Sequence, residues 1–291
     1  MDKHALRIDI FNSTLEILRQ GWYIAQDGSK VTLPSVSEVM EAACMYDEPV
    51  RLLVDPMVPI TTQVRVENKD CVRAAMELID AGYNPAMLNL ADLYTPGGLV
   101  EYGSGAQEEN LCRRSNLILS LYQFSQSRIQ QYPDLGLVSS TDQYPMDERY
   151  GGVYSGICTF FRSPESTGSQ LLESPCNIPV ISVAALSGPR IGADGMMLPE
   201  ETAITLDKMR TIFRIGILQG HDSLVLSALG CGAFANPPAH IARLFHQVME
   251  EDEFKDKFQL IDFAILDGYR TGMKHNPEGN LLPFQKEFNA L

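Results

Sequence analysis

The stretch Met87–Leu117, MLNLADLYTPGGLVEYGSGAQEENLCRRSNL, decides how the chain is read. An apolar run, Met87-Leu88-Asn89-Leu90, ends at the turn Pro96-Gly97-Gly98. A second glycine-bearing turn, Tyr102 to Ala106, follows, and Gln107-Glu108-Glu109 then stands at the mouth of a predicted helix. Strand, flexible backbone, carboxylates and helix, in that order, set an acid beside a bound polar ligand.

Upstream of this stretch, Thr61 to Val66 alternates in β-branched residues like a strand. Asn68 is expected to cap a helix from Lys69 to Ile79, Gly82 to stop it, and Pro85 to Leu90 to form a buried strand. Strand, helix, strand over this length is a βαβ unit and implies a parallel sheet with helices on its faces. Further upstream, residues 4–20 pattern as an amphipathic helix ending near Gly21, and a hairpin turns at Asp27-Gly28. Residues 31–60, with four prolines, read as an irregular or short helical segment followed by an edge strand.

Downstream, the spacing predicts a helix over Arg113–Gln123, then a long polar connection over 124–156. Strands are expected at Gly156–Arg162, Pro179–Leu186, Ser223–Leu229 and Phe258–Leu266. Residues between Arg162 and Pro179 read as a Ser/Pro/Gly-rich loop. Helices are expected at Glu201–Gly220 and Pro238–Glu250, and a polar, poorly patterned tail after Asp267-Gly268.

With 291 residues, 45% of them hydrophobic, the chain can bury a sizeable core. A formal net charge of −14 argues against general binding to a nucleic-acid backbone, so no direct DNA binding is expected. The six cysteines are scattered without a Cys-x-x-Cys pair, which fits reduced thiols and a cytoplasmic setting. No secretory signal and no run of 18 apolar residues is visible, so no membrane partner is expected; export by a route that reads another signal stays open.

Two apolar strands each run into a glycine-rich segment: Pro96-Gly97-Gly98, and Gly230-Cys231-Gly232-Ala233-Phe234. Beyond the carboxyl end of a parallel strand, glycines let backbone N–H groups approach phosphate oxygens. They also simply turn a strand into a helix, and neither loop alone decides between these readings. The five histidines are not spaced like a zinc site, and no metal is expected. Standard nucleotide and hydrolase motifs (G-x-G-x-x-G, a P-loop, H-E-x-x-H, G-x-S-x-G) do not occur. Glu108 and Glu109 are adjacent, so on a helix their side chains are expected to diverge, one toward a substrate hydroxyl and the other supporting it or facing solvent. A bare charge preference at a helix start accounts for such a pair equally well.

Taken together, the chain resembles the bacterial-type poly(ADP-ribose) glycohydrolases of the macrodomain superfamily. Their signature is a Gly-Gly-Gly run, a short spacer and Gln-Glu-Glu. Here the run is Gly97-Gly98-Leu99, the spacer is the seven residues Val100 to Ala106, and Gln107-Glu108-Glu109 follows. Leu88-Asn89-Leu90-Ala91 and Leu111-Cys112-Arg113-Arg114-Ser115 flank it in the family's manner, as do Tyr154-Ser155, Phe160-Phe161-Arg162 and Ile181 to Ala185 further on. Leu229 to Pro238 resembles the second phosphate loop, and Phe263 to Asp267 the closing strand.

The resemblance implies an α/β fold, a three-layer α/β/α macrodomain-like domain with a mixed central sheet. Residues 1–60 would be an N-terminal helical extension packed on a catalytic core at 61–291, within one structural domain. It implies Glu109 as the catalytic acid, with Glu108 holding the distal ribose. Gly97 and Gly98 would contact the diphosphate and adjoining ribose, Gln107 would be a further substrate-binding residue, and Gly230, Cys231, Gly232, Ala233 and Phe234 would cover the other side, with Phe234 against the distal ribose. Asn89 is the expected ribose-contacting asparagine. The partners implied are ADP-ribose, poly(ADP-ribose) or ADP-ribosylated proteins, with no cofactor. Leu99 departs from the pattern. Were that position to demand φ > 0 or close approach to phosphate, leucine would reshape the loop and favour a binding module without turnover. A hydrolase of a small ADP-ribose conjugate is the third reading.

Overall fold

The computed structural model describes residues 2–52, 60–268 and 272–288. Helix α1 (Lys3–Gln20) is capped by Asp2 and stopped by Gly21 in the left-handed conformation, and the hairpin β1 (Trp22–Ile24) and β2 (Lys30–Thr32) follows. Helix α2 (Val36–Glu41) opens with a capping box between Ser35 and Glu38 and leads to β3 (Ala43–Tyr46). Residues 53–59 of the segment expected to be irregular or helical and then an edge strand lie outside the described residues. Next come β4 (Gln63–Glu67), α3 (Cys71–Asp80), β5 (Pro85–Ala91), α4 (Gln107–Arg114), α5 (Leu117–Tyr122) and α6 (Gln126–Gln131). The chain continues with β6 (Gly152–Ser155), β7 (Thr159–Arg162), β8 (Leu171–Asn177) and β9 (Val180–Ala184). It closes with α7 (Pro199–Leu218), β10 (Ser223–Leu226), α8 (Pro238–Met249), β11 (Leu260–Ala264) and α9 (Leu281–Phe288). The result is a mixed α/β fold whose central sheet is flanked by helices, the fold class expected.

Two compact units can be recognised. The first comprises Met1–Met45, Ala91–Met146 and Val153–Ser182; the second comprises Tyr46–Leu90, Asp147–Gly152 and Val183–Leu291.

In the second unit the central-sheet strands run in the order β5-β10-β11-β4, all parallel. Ser223 pairs with Pro85 on one side and Leu260 on the other, and Leu260 in turn pairs with Gln63. The βαβ unit is therefore present, but its crossover through α3 spans two intervening strands. The helix is capped by Asp70, which accepts from the Arg73 N–H at 3.1 Å, and not by Asn68 as the sequence suggests. Its residues Val72, Ala75 and Leu78 are buried, the apolar face that the 3.6-residue period demands. β5, β10 and β11 are buried along nearly their whole length, as parallel strands covered on both faces must be, whereas at the edge strand β4 only Val66 is buried.

The polar tail after Gly268 hides α9. Phe284 and Phe288 of that helix pack with Phe245 of α8 and Phe263 of β11, at centroid separations of 4.7 to 6.5 Å. Burying such a ring is worth about 1.5–3 kcal/mol, so two aromatics suffice to fasten a segment whose composition looks like loop.

In the first unit β6 runs antiparallel to β9, and β7 pairs antiparallel with β8 in a separate two-stranded sheet. β8 lies in the segment expected to be a loop. It is mostly half-buried or exposed and contains Pro175, so neither alternation nor an apolar run announces it. The helix expected at Arg113–Gln123 is in fact two. The break falls at Ser115, which is extended and bridges to Phe160. Asn116 holds the break open: its N–H donates to the Thr159 carbonyl at 3.3 Å, and its Oδ1 accepts from the Thr159 N–H at 2.7 Å.

Candidate functional site

In the first unit the chain leaves β5 at Ala91 and makes a tight turn. Asp92 Oδ1 accepts from the N–H groups of Tyr94 and Thr95, both at 2.8 Å, and the Gly98 N–H donates to the Thr95 carbonyl at 2.9 Å. Gly97 and Gly98 sit at φ +75° and +56°, the region where glycine alone pays no steric penalty. A Cβ on Gly98 would stand 2.5 Å from Glu109 Oε1, so the backbone approaches this carboxylate as closely as it can.

Helix α4 begins at Gln107, which is half-buried, and its N-cap Ala106 offers no side-chain cap. Glu108 and Glu109 occupy its first turn, where the helix dipole favours an anion. The expected divergence does not occur. Both carboxylates turn to the glycine loop and both are buried, Glu108 at 2% and Glu109 at 6% exposure. Glu108 accepts from the Asp92 N–H (2.8 Å) and the Gly97 N–H (3.2 Å). Glu109 Oε1 accepts from the Leu99 N–H at 3.0 Å. Among the described residues Glu109 Oε2 has no hydrogen-bond partner, although it is buried. One oxygen is thus anchored, while the other is buried without an internal donor.

Leu99 answers the concern raised by its side chain. It lies at φ −102°, outside the left-handed region, and its side chain is 55% exposed. The backbone conformation therefore does not require glycine here. The spacer that follows is pinned by α1: a Cβ on Gly103 would stand 2.4 Å from the His4 carbonyl oxygen, and one on Gly105 would stand 2.5 Å from Arg7 Nη1. Burial first, then the charges of Glu108 and Glu109, push the thiol of Cys112, beside Gly97, well up and disfavour its thiolate.

In the second unit β10 ends in the second loop. Gly230 sits at φ +72°, and a Cβ there would meet Asn236 Nδ2 at 2.4 Å. Asn236, which sequence reasoning did not single out, organises the turn by donating to the carbonyls of Leu186 (2.7 Å), Gly230 (3.1 Å) and Phe234 (3.2 Å). The Cys231 carbonyl accepts from His275 Nε2 at 2.9 Å and from Asn276 Nδ2 at 3.4 Å. These two partners come from the tail, where no motif marked them. Cys231 is fully buried, Gly232 and Phe234 are half-buried and Ala233 is exposed. Among the described residues the N–H groups of Gly232, Ala233 and Phe234 have no acceptor, which leaves donors for an anion. Asn89 lies on β5 in this unit and is completely buried.

Each expected loop is thus assembled within its own unit: Gly97, Gly98, Gln107, Glu108 and Glu109 in the first, Gly230 to Phe234 in the second. A cavity of about 540 Å³ in the first unit, lined by Phe11, Leu15, Arg19, Glu101, Tyr102 and Tyr132 among others, contains none of them. Among the described residues no group of three His, Cys, Asp or Glu side chains is placed to hold a metal ion, and no helix is long and apolar enough to cross a membrane.

Comparison with known proteins bears on the fold and the family. No curated protein matches the chain. Among solved structures, poly(ADP-ribose) glycohydrolase from Thermomonospora curvata is 26% identical, with a TM-score of 0.74 over 97% of this chain and 99% of that one. The same enzyme bound to the inhibitor ADP-HPD gives a TM-score of 0.76 at 26% identity, with the same coverage of both chains. The glycohydrolase from Deinococcus radiodurans in complex with ADP-ribose is 26% identical, with a TM-score of 0.65 over 89% of this chain and 99% of that one. The mixed α/β fold is accordingly of the macrodomain type. A family model described as the microbial-type PARG catalytic domain matches residues 12–163, just over half of the 291, and the chain belongs to that family.

Proposed function

We propose that this protein is an ADP-ribosyl glycohydrolase that cleaves the O-glycosidic bond at the distal ribose of poly(ADP-ribose) or of ADP-ribosylated protein and releases ADP-ribose. The observation that carries this reading is the state of Glu109: buried on a helix N-terminus, anchored through one oxygen by the Leu99 N–H, with its other oxygen unpartnered. Membership of the family supports it.

On this reading Glu109 protonates the leaving oxygen as the bond to the anomeric carbon breaks. The oxocarbenium-like centre is stabilised by the negative diphosphate nearby. The carboxylate that results takes a proton from water as water attacks the same carbon. One acid serves both steps, in place of the carboxylate pair common in sugar hydrolases. Glu108 steadies the distal ribose, Asn89 is a ribose contact and Gln107 a further substrate-binding residue. Gly97 and Gly98 bring backbone close to the diphosphate and adjoining ribose. The open N–H groups at Gly232, Ala233 and Phe234, on the Gly230–Cys231 turn, suit phosphate oxygens, and the half-buried Phe234 ring suits the sugar face. Neither a cofactor nor direct DNA binding enters this scheme; the partners are ADP-ribose, its polymer and modified proteins.

Calorimetric titration with ADP-ribose followed by a release assay tests the reading. Wild-type protein is expected to bind ADP-ribose and release it from polymer or modified protein, and Glu109→Gln to bind it but turn over about 10²–10⁴-fold more slowly. Binding without Glu109-dependent release would instead make the chain a binding module. Rapid hydrolysis of a small ADP-ribose conjugate alone would move it to another substrate class. The ordinary φ of Leu99 takes away one ground for expecting the module, a left-handed backbone at that position.

A further inference from the structure

Arg128 of α6 is 8% exposed, lies far from the signature in sequence and has no part in the scheme above. Its Nη2 donates to the Gly98 carbonyl at 3.3 Å. Its Nη1 donates to Glu101 Oε1 at 2.6 Å and to Gln131 Oε1 at 2.9 Å. The Tyr132 hydroxyl donates to the same Glu101 oxygen. The guanidinium stands 5.2 Å over the Tyr122 ring, which stacks on Tyr132 with centroids 5.5 Å apart. Arg128 is therefore fixed on every side before it reaches Gly98.

The Gly98 carbonyl and the Leu99 N–H belong to one peptide plane. That bond is trans, since the cis bond among the described residues is Tyr144-Pro145. In a trans peptide the C=O and N–H point in opposite directions. Arg128 thus holds one edge of the plate whose other edge donates to Glu109 Oε1 at 3.0 Å. A plate next to a glycine at φ +56° rotates easily unless it is restrained. Rotation would break both hydrogen bonds together. A cationic donor on the carbonyl also polarises the plate and strengthens its N–H as a donor.

We infer that Arg128 is a positioning residue for Glu109, acting through the Gly98-Leu99 peptide, so that the Arg128–Glu101–Tyr132 brace sets the rotamer and hydrogen bonding of the acid. The inference rests on the reading that Glu109 performs the proton transfer.

The test compares Arg128→Met and Arg128→Lys with wild type in steady-state turnover of poly(ADP-ribose), ADP-ribose titration and the backbone amide spectrum. Arg128→Met is expected to lower kcat about 10- to 100-fold, with KM and ADP-ribose affinity changed by less than about threefold, and to displace the Leu99 amide signal. Arg128→Lys, which keeps one cationic donor, is expected to restore about half of that loss on a logarithmic scale and to return the Leu99 signal toward its wild-type position. Glu101→Gln, which loosens the brace while leaving the guanidinium on Gly98, is expected to give a smaller loss in the same sense, and it serves if Arg128→Met does not fold. A Leu99 amide unmoved in Arg128→Met, or kcat falling only as the folded fraction falls, would reduce Arg128 to a scaffold residue. Turnover that is insensitive to Glu109→Gln would sink the functional reading itself; turnover that needs Glu109 but ignores both Arg128 and Glu101 would sink the positioning role alone.

Discussion

The turn at Gly97-Gly98 is braced by two carboxylates and a guanidinium, whereas the turn at Gly230–Gly232 is braced by two carboxamides and an imidazole. In the first, the N–H groups of Gly97 and Leu99 are taken by Glu108 and Glu109, and the Gly98 carbonyl by Arg128. In the second, Asn236, Asn276 and His275 take carbonyl oxygens only, and the N–H groups at Gly232, Ala233 and Phe234 keep no internal acceptor. Two glycine turns that look interchangeable in sequence are thus built for different partners. A loop that spends its donors on its own carboxylates holds an acid in place. A loop that spends only its acceptors leaves donors for a bound anion.

Substituting the glycines should separate the two most sharply. Gly98→Ala adds a Cβ at φ +56° on top of Glu109 Oε1, while Gly230→Ala adds one at φ +72° on Asn236 and Ala185. Each is expected to cost about 2–4 kcal/mol in chemical denaturation, from left-handed strain plus overpacking. Their functional signatures should differ: turnover falls more than ADP-ribose affinity for Gly98→Ala, and affinity falls at least as much as turnover for Gly230→Ala. Identical signatures in calorimetry and kinetics would break the distinction.

Asn236→Ala is next in size. It leaves three carbonyls without their shared donor and is expected to cost about 1–3 kcal/mol, read as a lower denaturation midpoint together with weaker ADP-ribose binding.

A smaller effect concerns pH. Burial pushes the Glu101 carboxyl up, but hydrogen bonds from Tyr132 and Arg128 and the Arg128 charge outweigh it and hold the group below its usual range. A depressed carboxylate contributes stability that is present above the unfolded value, about 4.3, and is lost as pH falls through the folded value. Glu101→Gln should therefore lose less stability than wild type between pH 6 and pH 3, measured by urea denaturation at each pH. An equal loss in both proteins would remove Glu101 as a source of acid sensitivity in the first loop.

The smallest effect is expected from Leu99→Gly, which restores the third glycine of the family pattern. Because Leu99 already has an ordinary φ and an exposed side chain, stability should change by less than about 1 kcal/mol and ADP-ribose affinity by less than about threefold.

Particular residues show where sequence reading stopped. The strands β5, β9, β10 and β11 were legible because a buried parallel or central strand is a short, continuous apolar run. β8 was not, because a half-exposed strand with a proline carries no period. α9 was not, because two phenylalanines fasten it to Phe245 and Phe263 from outside its own stretch. The break at Ser115 was invisible for the same reason: the groups that end the helix lie at Thr159 and Phe160.

What the sequence by itself determined was the fold class, the two glycine turns and the pair of acids at a helix start, because spacing and residue type are local properties. The tertiary structure alone decided that both acids fold back on one loop, that Leu99 needs no left-handed backbone, and that Arg128, Asn236 and His275 hold the turns. Arg128 lies 30 positions from Gly98, His275 lies 44 from Cys231, and Asn236 reaches back 50 to Leu186; hydrogen bonding is set by distance in space, which no local pattern encodes.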